Sequence, residues 1–199
     1  MMFELLKAVN SRLCLKDRAG SASGIALVVS LSVLLAASLV VPEASARVKT
    51  VIDKYGLNGV VILTVGESEK CISKTGGAKM GAQVHAWRCR FASSHQKFVL
   101  KMMQKGWYQV RSNKGGMCLD VSGSAKKNNA PVVQWRCKTK KNANQLWKII
   151  PGAGRKKFLL EARHSGKCLF LRNIDGKVSP FVQRSCKSKD SAQNFSVVR

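Results

Sequence analysis

From position 47 onward the chain carries seven carboxylates: Asp53, Glu67, Glu69, Asp120, Glu161, Asp175 and Asp190. Cleaving a glycosidic bond takes two carboxyl groups flanking one linkage, and only Glu67 and Glu69 are near neighbours in sequence, so no such pair is assembled. His85, His95 and His164 lack the His-x-x-x-His spacing of a zinc site, and no two cysteines form a Cys-x-x-Cys ligand pair. Gly152-Ala153-Gly154 lacks the third glycine of a nucleotide loop and reads as a turn. Neither catalysis nor a cofactor or metal is expected from these patterns. What the spacing does offer is disulfide chemistry. Cys71, Cys118 and Cys168 are 47 and 50 residues apart, and Cys89, Cys137 and Cys186 follow them by 18, 19 and 18.

Disulfides form in oxidising compartments, and the N-terminal sequence points to one. Residues 24–41, GIALVVSLSVLLAASLVV, carry no charge and are followed by Pro42 and by Ala44-Ser45-Ala46, small residues at the spacing a signal peptidase requires. Residues 1–46 therefore read as a cleaved signal peptide, which makes the protein secreted or periplasmic. An uncleaved membrane anchor remains the alternative, because 18 mostly apolar residues approach the roughly 20 that span a bilayer and four Lys and Arg precede them. No Cys follows the run at lipoprotein spacing. Cutting after Ala46 removes Cys14, leaves an even six cysteines, and leaves 31 basic against seven acidic residues, a net charge of +24 compared with +25 for the whole chain.

The cysteines belong to an internal repeat, which dictates architecture before any local reading. Each second cysteine is followed, 7, 8 and 7 residues later, by a Gln, one spacer and an aromatic: Gln96-Lys97-Phe98, Gln145-Leu146-Trp147 and Gln193-Asn194-Phe195. Ahead of each first cysteine lies a β-favouring run, 60–64, 107–111 and 158–161. Further strands are expected at 118–121, at 131–135 and around each Gln-x-aromatic triplet, giving four short strands per unit and twelve in all. No stretch beyond residue 46 holds a helical apolar period for three turns. A unit of under 50 residues cannot bury its apolar face alone, so the three copies must pack around a common axis. Six cysteines pair in fifteen ways; the repeat selects Cys71–Cys89, Cys118–Cys137 and Cys168–Cys186, each loop contributing about 3 kcal/mol. The triplet aromatics are assigned to the core, and their glutamines to satisfying backbone groups.

Three Gln-x-aromatic triplets, paired cysteines and a period of about 48 residues resemble the ricin B-type lectin family of β-trefoils, over residues 58–199. The segment 47–57 precedes that domain. The middle unit is the best match, with Gly116-Met117-Cys118-Leu119-Asp120-Val121, Gln134-Trp135-Arg136-Cys137 and Asn142-Ala143-Asn144-Gln145-Leu146-Trp147. The resemblance implies an all-β trefoil and a carbohydrate site of galactose class formed by Asp120, Trp135, Asn144 and Gln145. A carboxylate accepts hydrogen bonds from vicinal hydroxyls, an amide donates and accepts, and Trp135 offers a flat face to sugar C–H groups. The competing structural roles are a turn cap for Asp120 and a half-buried position beside the disulfide for Trp135. One departure is Val133 where a polar residue is expected, with Gln134 shifted by one, which weakens a lateral hydrogen bond. The other units match less well. Ser73 and His95 replace the Asp and Asn of the first, where Trp87 remains; Phe170, Arg184 and Ala192 replace all three in the third. Those two pockets are expected to be inactive.

Basic residues recur at Lys126-Lys127, Lys138, Lys140-Lys141, Arg155-Lys156-Lys157, Lys187 and Lys189. A charge of this size exceeds the magnitude of about 2 to 8 that solubility asks for; it is either a solvated surface or a footprint for acidic polysaccharide. Sequence-specific nucleic-acid readout has no motif to support it. Glycans or glycoconjugates are the expected partners. The alternatives are an adaptor subunit of a secreted bacterial toxin, with partner toxin subunits, and a cationic adhesin for acidic polysaccharides.

Overall fold

The apolar runs ahead of the first cysteines each become the opening strand of a four-stranded unit. The computed structural model describes residues 52–75, 79–139 and 143–198; the apolar run 24–41, the cleavage triplet 44–46, Cys14, Lys140, Lys141 and Asn142 lie outside them. The first unit comprises β1 (Val60–Val65), β2 (Lys70–Ser73), β3 (His85–Arg88) and β4 (Phe98–Gln104). The second comprises β5 (Trp107–Ser112), β6 (Met117–Val121), β7 (Val132–Arg136) and β8 (Trp147–Pro151). The third comprises β9 (Phe158–Ala162), β10 (Lys167–Leu171), β11 (Ser179–Ser185) and β12 (Phe195–Val198).

Their pairing gives the threefold closure expected from the repeat. Going round, β1 pairs with β4, β4 with β5, β5 with β8, β8 with β9, β9 with β12 and β12 with β1, all antiparallel. That closed ring of six strands has no free edge, which removes the usual hazard of unpaired strand backbone. The other six strands form the hairpins β2–β3, β6–β7 and β10–β11, one per unit. The fold is a β-trefoil.

Alternation along the strands turns one side chain in two toward the axis. Leu63, Val65, Phe98, Val110, Trp147, Phe158, Leu160 and Phe195 are buried there, and the rings of Phe158, Phe195 and Phe181 follow one another at centroid distances of 6.3 and 6.1 Å. The core also takes in Tyr55 and Leu57 from the segment ahead of β1. Tyr55 sits 5.2 Å from Phe158, centroid to centroid. The repeat pattern does not reach these two residues.

The triplets work as expected, with one refinement. Each Gln ends a short 3-10 turn, 94–96, 143–145 or 191–193, and each aromatic opens the following strand. In all three units the Gln amide clamps the backbone on both sides of the second cysteine. Gln96 accepts from the Arg90 amide and donates to the Arg88 carbonyl; Gln145 does so with Lys138 and Arg136, and Gln193 with Lys187 and Ser185, all within 2.6–3.0 Å. The three disulfides, Cys71–Cys89, Cys118–Cys137 and Cys168–Cys186, lie within their units.

Three further contacts tie unit to unit. Gln134 donates to the Thr75 and Lys79 carbonyls of the first unit, and Gln183 donates to the Ala125 and Lys127 carbonyls of the second. Ala86 occupies the matching place in the first unit and cannot make the bond. There Lys70 reaches the Ile174 and Gly176 carbonyls of the third unit instead. A different residue type on a neighbouring strand thus completes the circle.

Candidate functional site

Register in the middle hairpin sets the site. Asp120 on β6 stands opposite Val133 on β7, and Cys118 opposite Trp135. Because side chains alternate, Asp120, Val133 and Trp135 share one face, with Trp135 one diagonal step from the carboxylate. Trp135 is 39% exposed whereas Asp120 is only 3% exposed. The ring of Trp135 lies over the turn at Gly81, where a Cβ would stand 3.5 Å from it and where φ is +77°. A left-handed backbone at that point favours glycine.

The Asp120 carboxylate is held from beneath. Asn144 Nδ2 donates to Oδ1 at 2.8 Å and Gln145 Nε2 donates to Oδ2 at 2.9 Å. Asn144 Nδ2 also donates to the Val121 carbonyl, and Gln145 Nε2 to the Arg136 carbonyl, so both amide nitrogens are committed to the fold. Gln145 is wholly buried, and its part in the site is to position Asp120. Burial pushes the Asp120 carboxyl above the ordinary carboxylate range, opposed by the Gln145 hydrogen bond and the charge of Lys138. A carboxylate offers about four lone-pair positions. With one per oxygen spent inward and the Lys138 ammonium 3.5 Å from Oδ2, Oδ1 keeps one position for a hydroxyl donor and Oδ2 shares its second with Lys138.

Three residues that motif reasoning does not assign belong to this network. Lys138 places its ammonium 3.5 Å from Asp120 Oδ2, next to where a ligand hydroxyl would approach. Gln109 donates to the Lys138 carbonyl at 2.8 Å and to Gln145 Oε1 at 3.3 Å, while Arg111 holds the Gln109 oxygen from Nε at 3.0 Å and Nη2 at 2.6 Å. The position of Lys138, directly after Cys137, was the only available signal. Gln134 is no substitute for the polar residue missing at Val133, since it is buried against the first unit.

The equivalent positions in the other units diverge. In the third, Arg184 lies over the Phe170 ring at 4.7 Å and Ala192 is buried, so the place of the carboxylate and platform is filled by the protein itself. In the first, Ser73 stands opposite His85 and Cys71 opposite Trp87, and Ser73, His85, Trp87 and His95 line a cavity of about 220 Å³.

A closed barrel, three hairpins and one carboxylate-and-tryptophan arrangement at the middle hairpin define a β-trefoil of lectin type. Residues 59–195 match the model of the ricin-type beta-trefoil lectin domain, and the chain belongs to that family. Over 54 residues, 27% of this chain, it is 39% identical to Agglutinin-1 of Abrus precatorius, and the match spans 9% of that protein. Among solved structures, the designed threefold symmetric protein ThreeFoil superposes with a TM-score of 0.65 at 24% identity, covering 71% of this chain and 99% of that one. The Polyporus squamosus lectin, bound to a sialylated influenza-binding epitope, superposes with a TM-score of 0.59 at 15% identity over 70% of this chain and 48% of that one. At these identities the superpositions establish fold.

Proposed function

We propose that this is an exported carbohydrate-binding protein that recognises galactose-class glycans through one site in its middle unit. The observation that carries the reading is the Asp120 carboxylate, buried and held by Asn144 and Gln145, beside a Trp135 ring that stays 39% exposed. Asp120 accepts from two adjacent hydroxyls, and Trp135 covers the C–H face of the sugar. The arrangement is one of binding: Asp120 has no second carboxylate in the network to share acid and base roles. A single shallow site recovers little beyond the cost of association, so a monosaccharide binds at about millimolar Kd, and tighter attachment comes from multivalent display. Three disulfides in a domain of this size fit an extracytoplasmic protein, with residues 1–46 as the signal that takes it there. The test is a glycan array at physiological salt, with Asp120→Asn beside the parent protein. Neutral galactosides bind the parent and are lost from the variant; binding to neutral galactosides that Asp120→Asn leaves unchanged would refute the assignment.

A further inference from the structure

The segment ahead of β1 carries the single Asn-Gly step of the sequence, Asn58-Gly59. Residues 52–55 make one helical turn that ends at Gly56, where φ is +65°. The Leu57 amide donates back to the Ile52 carbonyl at 2.9 Å and the Gly56 amide to the Asp53 carbonyl at 3.1 Å, a helix stop that uses the left-handed backbone open to glycine. Tyr55 and Leu57 are buried in the core, whereas Asp53, Asn58, Gly59 and Val60 are exposed. Across the outside of the turn, Asn58 Nδ2 donates to Asp53 Oδ1 at 2.6 Å. That bond closes the loop whose two apolar residues plug the core.

An asparagine side chain is converted when the amide nitrogen of the next residue attacks its Cγ. Here the Gly59 nitrogen forms the new bond to Cγ of Asn58 and gives up its proton, the Cγ–Nδ2 bond breaks, and Nδ2 leaves with that proton as ammonia. Water then opens the succinimide at either carbonyl, giving aspartate or isoaspartate, and no other reactant takes part. The step needs an attacking amide that is uncrowded and unbonded. Gly59 has no side chain to hinder the approach, and a Cβ built on it would meet nothing within 4 Å. Among the described residues its N–H donates to no backbone carbonyl. The other Asx-Gly step, Asp175-Gly176, differs on this point, because the Gly176 amide is engaged by Asn173 Oδ1 at 3.1 Å. Every other asparagine of the chain is followed by a residue with a Cβ.

We infer that Asn58 is a site of spontaneous deamidation through a succinimide with Gly59, and that the modification unlatches the 52–57 segment. The product carboxylate stands where Nδ2 stood, so a hydrogen bond to Asp53 becomes a like-charge contact. The isoaspartyl form also adds a methylene to the main chain between Leu57 and β1, which shifts Leu57 relative to the strand. Both products act on the loop that holds Tyr55 5.2 Å from Phe158. None of these residues belongs to the middle hairpin, so the modification stands whether or not Asp120 binds galactose.

The experiment incubates the disulfide-bonded chain at neutral pH and follows its tryptic peptides by mass spectrometry. Cleavage after Lys54 and Lys70 isolates residues 55–70, in which Asn58 is the one side-chain amide. This peptide exchanges NH2 for OH about ten-fold faster than the peptides holding Asn113 and Asn173, whose next residues carry side chains, and it divides into aspartyl and isoaspartyl forms. A second measurement reads the latch, by hydrogen exchange of the Leu57 amide corrected for neighbouring residues. Asn58→Asp speeds that exchange about five-fold, the equivalent of one lost hydrogen bond. Asp53→Asn combined with Asn58→Asp returns it to the parent rate, because donor and acceptor have changed places. Deamidation at Asn58 no faster than at Asn113, or an aspartyl product alone, would overturn the modification site. Leu57 exchange that Asn58→Asp leaves unchanged, or that stays fast in the double variant, would overturn the latch.

Discussion

Gln193→Leu tests the backbone clamp where no binding site complicates the result. The Gln193 amide accepts from the Lys187 amide at 2.7 Å and donates to the Ser185 carbonyl at 2.9 Å. Leucine keeps much of the volume and makes neither bond. Lys187 and Ser185 are exposed residues, so water reaches the released groups, and the loss is the net worth of two neutral hydrogen bonds, about 1 kcal/mol each. The expected destabilisation is therefore about 2 kcal/mol, a fall in Tm of roughly 4–8 °C for a domain of this size. Guanidinium chloride unfolding with the disulfides intact measures it as a lower midpoint at unchanged slope. Gln96→Leu costs the same, because Gln96 makes the matching bonds to Arg90 and Arg88. Gln145→Leu costs more, about 4 kcal/mol, because it also strips a charge-assisted bond from Asp120, and it alone of the three abolishes galactoside binding. A loss below about 0.5 kcal/mol for Gln193→Leu, within the scatter of ordinary surface changes, would show that the amide does not hold the second-cysteine loop and would refute the reasoning.

Two other outcomes follow from the same geometry. Burial raises the Asp120 pKa against the opposing pull of Gln145, Lys138 and His164; the carboxylate must be ionised to accept hydroxyls, so galactoside affinity starts to fall on acidification at a pH above the ordinary Asp value of about 3.9. A titration of affinity against pH shows this step in the parent protein, and its absence there would remove Asp120 from the site. The sign for stability is opposite: the folded state holds this proton more tightly than the unfolded state, so the Asp120 contribution to stability declines as pH rises from the unfolded pKa through the folded one and is level beyond it. Tyr55→Ala removes a buried ring from beside Phe158 and lowers unfolding free energy by about 3 kcal/mol, measured by the same denaturant titration; a change under about 1 kcal/mol would mean that the segment ahead of β1 does not belong to the core.

The sequence by itself determined the repeat, the strand count and the disulfide pairing, because these are short-range properties. Cysteines 18 or 19 residues apart and a Gln-x-aromatic triplet at constant offset encode a local loop and its clamp, which recur wherever the spacing recurs. The middle hairpin was legible for the same reason, since Asp120 and Trp135 are fixed relative to their cysteines by strand register. Tertiary structure decided what lies between units. Lys70 takes over where Ala86 lacks the amide of Gln134 and Gln183, and the interacting groups come together only when the barrel closes over more than a hundred residues. Gln145 is turned inward by the same packing that buries Trp147 beside it, so a residue read partly as a ligand contact becomes a support for Asp120. The two substituted units also part company only in three dimensions. Arg184 folds down on Phe170 in the third, while in the first Ser73, His85 and Trp87 line a hollow, because whether a lost motif closes a site or leaves it open depends on how the replacement side chains pack against one another.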